Sequence, residues 1–128
     1  MKRILNTEKG PKAIGPYSQG VEINSMLFIS GQIALDPATN KIIEGGIEEQ
    51  THQVFRNLGG ILSAAGYNFY DIVKTTVILT DINNFSKMNA VYAQYFEKDF
   101  PARTTFQASL PPGVLIQLEA IAVKQRDY

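Results

Sequence analysis

The sequence contains no cysteine, and it has a single histidine, His52, among its 128 residues. The first absence excludes disulfide bonds, thiol nucleophiles and thiolate metal sites together. With one histidine, the sequence has a single candidate base for a Ser-His-Asp triad and too few ligands for a multi-histidine metal centre. No spaced acidic motif is present that would hold magnesium instead. We therefore expect no metal site, and we expect His52 to be structural or exposed to solvent.

The chain also has no surplus of either charge, because 12 Lys and Arg residues balance 12 Asp and Glu residues. A general nucleic-acid binder gains most of its affinity from a basic patch, so nucleic acid is not favoured as a partner. No run of about 18 apolar residues could cross a membrane, and "MKRILNTEKGPK" lacks the apolar stretch of a signal peptide. The composition predicts a cytoplasmic protein without a membrane partner.

What the chain does have is enough apolar surface for a core, since 45% of its residues are hydrophobic. Its length suits one domain over residues 1–128. Segments 17–23 and 27–34 favour extended structure on either side of the turn "NS", which predicts a hairpin. The stretch "GGIEEQTHQVFRNLGGILSAAG" has apolar residues at helical spacing, and its final glycine suits a helix end. The pair Gly59 and Gly60 inside this helix would be explained by close packing against a sheet.

The second half of the chain predicts a strand at 72–79, a helix within "DINNFSKMNAVYAQYFEKDF" capped by Asp81 or Asn83, and strands at 103–110 and 114–124. The order β-β-α-β-α-β-β describes an α+β fold, with two helices on one face of a mixed sheet. Both "IVKTTVIL" and "VLIQLEAIAV" carry apolar residues at both parities, as strands buried on both faces do. Because two helices can cover one face only, we expect a homo-oligomer.

A small set of polar residues lies in β-rich surroundings: Tyr17, Ser30, Arg103, Thr105, Gln117 and Glu119. If the last two strands form a hairpin around "PPG", then Thr105 pairs with Glu119, and the last four of these residues share one face. A guanidinium on such a face can bind a carboxylate by two parallel hydrogen bonds. The alternative is an ion pair between Arg103 and Glu119 at a subunit interface. Parity alone leaves both interpretations open.

Six segments of the chain, in order, resemble those of one known family: "AIGPYSQGV", "FISGQI", "DIVKTTVILTD", "MNAVYAQYF", "FPARTTF" and "LEAIAV". The family is that of RidA, also called YjgF, and the resemblance runs nearly from end to end. It implies a chorismate-mutase-like α+β fold and a homotrimer with three sites in clefts between subunits. A trimer would also cover the second face of the sheet.

The resemblance implies hydrolysis of reactive imines and enamines, such as 2-iminobutanoate and 2-iminopropanoate, to 2-oxo acids and ammonia without a metal or organic cofactor. By motif, Arg103 of "PAR" would hold the substrate carboxylate, assisted by the backbone of Gly31 in "SGQ". Tyr17 of "GPYSQ" would close the cleft from one side. Ser30 and Thr105 would line the site.

The last strand departs from the family pattern, because "IQLEA" stands where relatives usually have "IEIEA". Gln117 takes the position of the glutamate associated with the reacting water, and a neutral amide cannot accept a proton at neutral pH. Glu119 is therefore a possible base, with Gln117 as its neighbour in the site. The same departure motivates a different hypothesis, a non-enzymatic sensor or adaptor that binds small 2-oxo acids. An endoribonuclease or translation inhibitor, a description attached to some relatives, is less favoured by the neutral charge.

Overall fold

The structure, a computed structural model, describes residues 1–125, which form ten strands and helices. The elements are β1 (Arg3–Leu5), β2 (Gly20–Ile23), β3 (Met26–Gln32), β4 (Leu35–Asp36), β5 (Lys41–Ile42), α1 (Ile47–Ala65), β6 (Ile72–Leu79), α2 (Phe85–Phe96), β7 (Ala102–Gln107) and β8 (Ile116–Val123). Six strands form one mixed sheet in the order β1-β2-β3-β8-β6-β7, and β4 pairs with β5. The predicted α+β class is confirmed. The short strands β1, β4 and β5 were not predicted.

The hairpin predicted for the last two strands is wrong. Strand β7 lies at the sheet edge, parallel to β6, whereas β8 lies between β3 and β6 and is antiparallel to both. The segment 108–115 therefore carries the chain past β6. The proline-glycine turn lies within this connection, where it reverses the chain direction without pairing β7 with β8.

The corrected pairing separates the polar residues that the hairpin would have placed together. Arg103 lies opposite Thr75 of β6, which in turn lies opposite the buried Ala120 of β8. This row faces the helices, and Thr105 shares its face because side chains alternate along a strand. Gln117 and Glu119 have the opposite parity to Ala120, so they lie on the face without helices.

The first hairpin and the first helix form as predicted. Strands β2 and β3 pair across Asn24 and Ser25, whose φ angles of 50° and 62° are those of a type I′ turn. Strand β2 begins at Gly20, however, whereas the sequence predicted extended structure from residue 17. Helix α1 ends at Gly66, whose φ of 83° is left-handed, as a glycine at a helix end permits.

Gly60 allows a close approach of the chain to α1, although the neighbour is not the sheet. A Cβ on Gly60 would clash with the backbone carbonyl oxygen of Lys9, in the segment that follows β1. A Cβ on Gly59 would meet the ring of Phe69 at 3.1 Å. Close packing therefore explains the glycine pair, but the contacts are with a loop and an aromatic ring and not with the sheet.

Helix α2 packs an aromatic cluster against α1. Phe55 of α1 is fully buried, and its ring stacks on that of Tyr95 at a centroid distance of 4.3 Å. His52 lies half-buried with Nδ1 2.7 Å from the Tyr95 hydroxyl oxygen, which is the structural role expected for it. Asp81 accepts a hydrogen bond from the backbone N–H of Asn83 and caps the 3-10 turn that precedes α2.

The face of the sheet without helices carries a row of apolar side chains. Ile4 lies opposite Val21, Val21 opposite Phe28, and Phe28 opposite Ile121. Phe28 is 40% exposed and Ile4 is 50% exposed. The sequence-based expectation that other subunits cover this face stays a prediction. Within residues 1–125, neither helix has the length and apolar character needed to cross a membrane.

Candidate functional site

The Arg103 side chain opens into a cavity of about 410 Å³ between β7 and α2. The cavity is lined by Asn89, Tyr92, Ala93, Phe100, Pro101 and Arg103. Arg103 is half-buried, whereas Phe100 is 55% exposed at the rim. The cavity therefore presents one cation among walls that are largely apolar.

Two aromatic rings and one amide of α2 hold the guanidinium of Arg103. Its Cζ lies 4.8 Å from the ring centroid of Tyr92 and 5.4 Å from that of Phe85. Its Nη1 donates a hydrogen bond of 2.8 Å to Oδ1 of Asn89. Cation–π contacts of this kind hold a guanidinium in place without neutralising its charge.

Arg103 lacks an anionic partner in the part of the chain that the structure describes. The ion pair found there joins Arg3 to Glu22 at 3.0 Å, far along the sheet from β7. The ion pair proposed between Arg103 and Glu119 is not formed within the chain, because the two side chains lie on opposite faces of the sheet. A guanidinium has five N–H donors, so Arg103 keeps most of its donors for a ligand.

Tyr92 is anchored from behind by the strand next to β7. Its hydroxyl oxygen lies 2.7 Å from Oγ1 of Thr75, and both residues are buried. Burial raises the pKa of the Tyr92 hydroxyl, so the phenol stays protonated at neutral pH. Thr75 is also the residue opposite Arg103 in the β6–β7 register. Arg103 and Thr75, the anchor of the Tyr92 ring, thus lie side by side in one row of the sheet.

Thr105 lies one row further along β7, opposite Val77. Its Oγ1 is buried and has no hydrogen-bond partner among residues 1–125. A buried hydroxyl without a partner costs roughly 1–3 kcal/mol. The Thr105 hydroxyl is therefore an unsatisfied polar group within the described residues.

A second cavity, of about 260 Å³, is lined by three of the predicted site residues but not by Ser30 or Glu119. Tyr17, Gly31 and Gln117 line it together with Lys12. A Cβ at Gly31 would lie 2.6 Å from Nε2 of Gln117, so a larger residue here would displace the Gln117 side chain. Glu119 lies two residues further along β8, on the same face as Gln117, and its side chain is exposed.

The loop that carries Tyr17 is fastened by buried polar contacts. The Gln19 amide is 4% exposed, accepts a hydrogen bond from the Thr7 N–H at 2.7 Å, and donates to the Pro11 carbonyl at 2.8 Å. Ser30 Oγ donates to the carbonyl of Ser18 at 2.5 Å, which ties the loop to β3. Tyr17 itself is 51% exposed, with its hydroxyl oxygen 3.4 Å from the backbone nitrogen of Ile14.

The structure thus divides the predicted site residues into two groups. Arg103 and Thr105 lie on the helix-covered face of β7, whereas Tyr17, Gly31 and Gln117 line a separate cavity that shares no residue with the first. One chain does not bring the two groups together. Among residues 1–125, no cluster of three or more His, Asp or Glu side chains is placed to ligate a metal.

Sequence reasoning missed the residues that hold Arg103, although a signal for them exists. Phe85, Asn89 and Tyr92 are spaced four and three residues apart, so they share one face of α2. Asn89 is thus a polar residue on the same helical stripe as two aromatic residues, and this position is the signal that the sequence offers. Tyr92 is 4% exposed and belongs to the core, and its ring also forms the floor beneath Arg103.

Comparison with known proteins agrees with this structure over nearly the whole chain. The family model described as endoribonuclease L-PSP matches residues 7–124. The human 2-iminobutanoate/2-iminopropanoate deaminase is 47% identical over 125 residues, covering 97% of this chain and 91% of that protein.

Two solved structures superpose closely. A putative endoribonuclease from Thermotoga maritima has a TM-score of 0.94 and 48% identity, covering 98% of this chain and all of that one. A Yersinia pestis protein of the conserved Rid family has a TM-score of 0.93 and 44% identity, covering 97% and 100%. The chain therefore belongs to the endoribonuclease L-PSP family, which includes the Rid proteins and which its six motifs resembled.

Proposed function

We propose that this chain is a hydrolytic deaminase that converts small 2-imino acids, such as 2-iminobutanoate and 2-iminopropanoate, to 2-oxo acids and ammonia. The observation that carries the proposal is Arg103, a guanidinium without an anionic partner in the described chain that opens into a cavity. Such a group binds a carboxylate through two parallel hydrogen bonds. The 47% identity to the human protein named as a deaminase of these two imines supports the same substrate class.

The chemistry needs little from the protein beyond orientation. Water adds to the carbon of the protonated C=N bond, the π electron pair moves to nitrogen, and the added water loses a proton. The nitrogen takes up a proton, the C–N bond breaks as ammonia leaves, and the hydroxyl formed from the water loses its remaining proton as the C=O bond forms. Fixing the carboxylate on Arg103 would hold the reacting carbon toward the water, and such positioning contributes much of a rate enhancement. No organic cofactor takes part in these steps.

We infer that the complete site forms between copies of the chain, in a homotrimer. The Arg103 cavity and the Gly31 cavity are separate in one chain, and their residues lie on opposite faces of the sheet. A second copy that packs its Gly31 cavity against β7 would bring the two groups together. In a homotrimer the copies would also cover the apolar row around Phe28.

Within such a site, Gln117 and Glu119 would have different roles. Gln117 sits beside Gly31 in the cavity, where its amide would orient the attacking water by hydrogen bonds. Glu119 is the nearest carboxylate along β8, and it would accept the proton of that water directly or through a second water molecule. Tyr17 would close the cleft and Ser30 would line it.

The test is the decay of 2-iminobutanoate released by threonine dehydratase, measured with and without this protein. We expect wild-type protein to accelerate the decay and Arg103→Ala to return it to the rate without protein. The matched control is Arg56→Ala, since Arg56 is an exposed arginine of α1 that bonds only its neighbour Gln53 within the described chain. Equal acceleration by wild type and Arg103→Ala would refute the proposal.

A second candidate function rests on Gln117, which is a neutral amide in the cavity beside Gly31. A site that binds carboxylates but lacks a base at this position could serve as a sensor or adaptor for 2-oxo acids. Calorimetry that showed binding of 2-oxobutanoate dependent on Arg103, together with no acceleration of imine decay, would favour it. Ribonuclease activity is tested in the same preparations, and RNA cleavage lost in Arg103→Ala would favour that third function.

A further inference from the structure

Three residues of α2 surround the guanidinium of Arg103, and none of them carries a charge. Phe85 and Tyr92 present their rings at 5.4 Å and 4.8 Å from Cζ, and Asn89 accepts a hydrogen bond of 2.8 Å at Oδ1. Their spacing along α2 places them on one face, directed at the edge strand β7. We call Phe85, Asn89 and Tyr92 the arginine seat.

The seat is tied to the same sheet row as the cation. Tyr92 is fixed by its hydroxyl contact of 2.7 Å with Thr75, and Thr75 lies opposite Arg103 in the parallel pairing of β6 and β7. A shift of the Tyr92 ring would therefore break a buried hydrogen bond. The long arginine side chain would otherwise lose rotamer freedom when it binds a ligand, and the seat removes that freedom beforehand.

Asn89 is the residue of the arginine seat that has a charged counterpart of the same shape, aspartate. An aspartate would have the same shape, and it would form a charge-assisted bond to Nη1 that is stronger than the present one. For the fold alone, a carboxylate would thus be the better partner for a half-buried guanidinium. It would also neutralise Arg103 and compete with a bound carboxylate for the same donors.

We propose that the arginine seat is a positioning device for anion binding, and that the neutrality of Asn89 keeps the charge of Arg103 available to a monocarboxylate ligand. The inference rests on the proposed function in that the ligand is taken to be a small 2-oxo or 2-imino acid. Asn89, Phe85 and Tyr92 are positioning residues that act through Arg103. This arrangement lowers the free energy of unfolding relative to an aspartate at position 89, because the fold retains a charge that the isosteric substitution would neutralise.

The experiment compares Asn89→Asp with Asn89→Ala by calorimetric titration of 2-oxobutanoate and by thermal unfolding. We expect Asn89→Asp to melt at or above the wild-type temperature and to bind 2-oxobutanoate at least tenfold more weakly. Asn89→Ala, which loses the hydrogen bond and keeps the positive charge, should weaken binding by less. A purely structural role for Asn89 predicts the reverse order, because the isosteric variant disturbs packing less than alanine does.

Binding by Asn89→Asp that equals the wild type, or that exceeds Asn89→Ala, would overturn the inference while leaving the proposed function intact. The absence of any 2-oxobutanoate binding and imine turnover in the wild type would instead refute the proposed function. If Asn89→Asp does not fold, Phe85→Leu replaces it as a change to the half-buried ring of the seat. That variant should weaken binding several-fold, with Phe85→Tyr restoring it, and unchanged binding by Phe85→Leu would overturn the inference equally.

Discussion

Replacing Phe28 by aspartate tests whether the sheet face without helices is an interface between copies of the chain. Phe28 lies in the middle of β3 on that face, in the row formed with Ile4, Val21 and Ile121. Its side chain does not reach the helix layer, because the neighbouring Leu27 and Ile29 point there and are buried. A charge at this position therefore affects an interface more directly than it affects the core of one chain.

The size of the effect follows from the surface that Phe28 leaves exposed. The residue is 40% exposed, and an aromatic side chain buries about 200 Å² when fully covered, so about 80 Å² remains for a partner to cover. At about 25 cal/mol per Å², that area is worth about 2 kcal/mol per copy, or about 6 kcal/mol for three copies. Assembly should weaken by a factor of about 10⁴, and burying the new carboxylate would weaken it further.

Sedimentation velocity over a range of protein concentrations measures the outcome, with circular dichroism to confirm that the variant is folded. Tyr70→Asp is the matched control, because Tyr70 is a 67% exposed aromatic residue in the 3-10 turn Phe69–Asp71 after α1, away from the apolar row. We expect the Phe28 variant to sediment as a monomer and the Tyr70 variant to sediment as a trimer. A Phe28→Asp protein that assembles as tightly as the wild type would show that this face is not the interface.

Two further predictions concern acid stability and the reacting water. The Tyr67 hydroxyl donates a 2.6 Å hydrogen bond to the Glu22 carboxylate, and this bond lowers the pKa of Glu22 below its ordinary 4.5. The stability that the bond contributes is therefore fully present above pH 4.5, and it is lost as the pH falls through the lowered pKa of the folded state. Tyr67→Phe should therefore cost roughly 1–2 kcal/mol in urea unfolding at pH 7 and clearly less at pH 3; an equal cost at both pH values would contradict this cause. Gln117→Glu should raise imine turnover at neutral pH by about tenfold or more, since a positioned general base contributes about 10² to 10⁴. Turnover no higher than that of Gln117→Ala would show that position 117 does not contact the reacting water.

The element order could be predicted from the sequence because its signals are local. The turn at Asn24 and Ser25, the left-handed Gly66 and the helical apolar spacing each depend on a few adjacent residues. The partner of β7 could not be predicted in this way. A parallel pairing depends on the long connection through α2, and the turn after β7 was compatible with a hairpin that does not form.

The candidate site was predictable by residue type but not by arrangement. Arg103 stood out as a charge in a β-rich segment, and the motifs pointed to Tyr17 and Gly31. The surroundings of Arg103 required the fold, because Asn89 and Tyr92 reach it from a helix that precedes it in sequence. The alternation of side chains predicted Gln117 and Arg103 on one face only because β7 and β8 were expected to pair directly.

If the complete site forms between copies of the chain as proposed, the separation of the Arg103 and Gly31 cavities would link the proposed activity to protein concentration. Each folded chain then carries two half-sites that cannot meet each other, so the proposed activity would depend on the law of mass action as well as on folding. Specific activity would fall on dilution below the assembly constant and return on concentration, without any change in a single chain. The activity of correctly folded molecules would then depend on the expression level of the protein. It would also depend on any partner that occupies the apolar row around Phe28 and so prevents assembly.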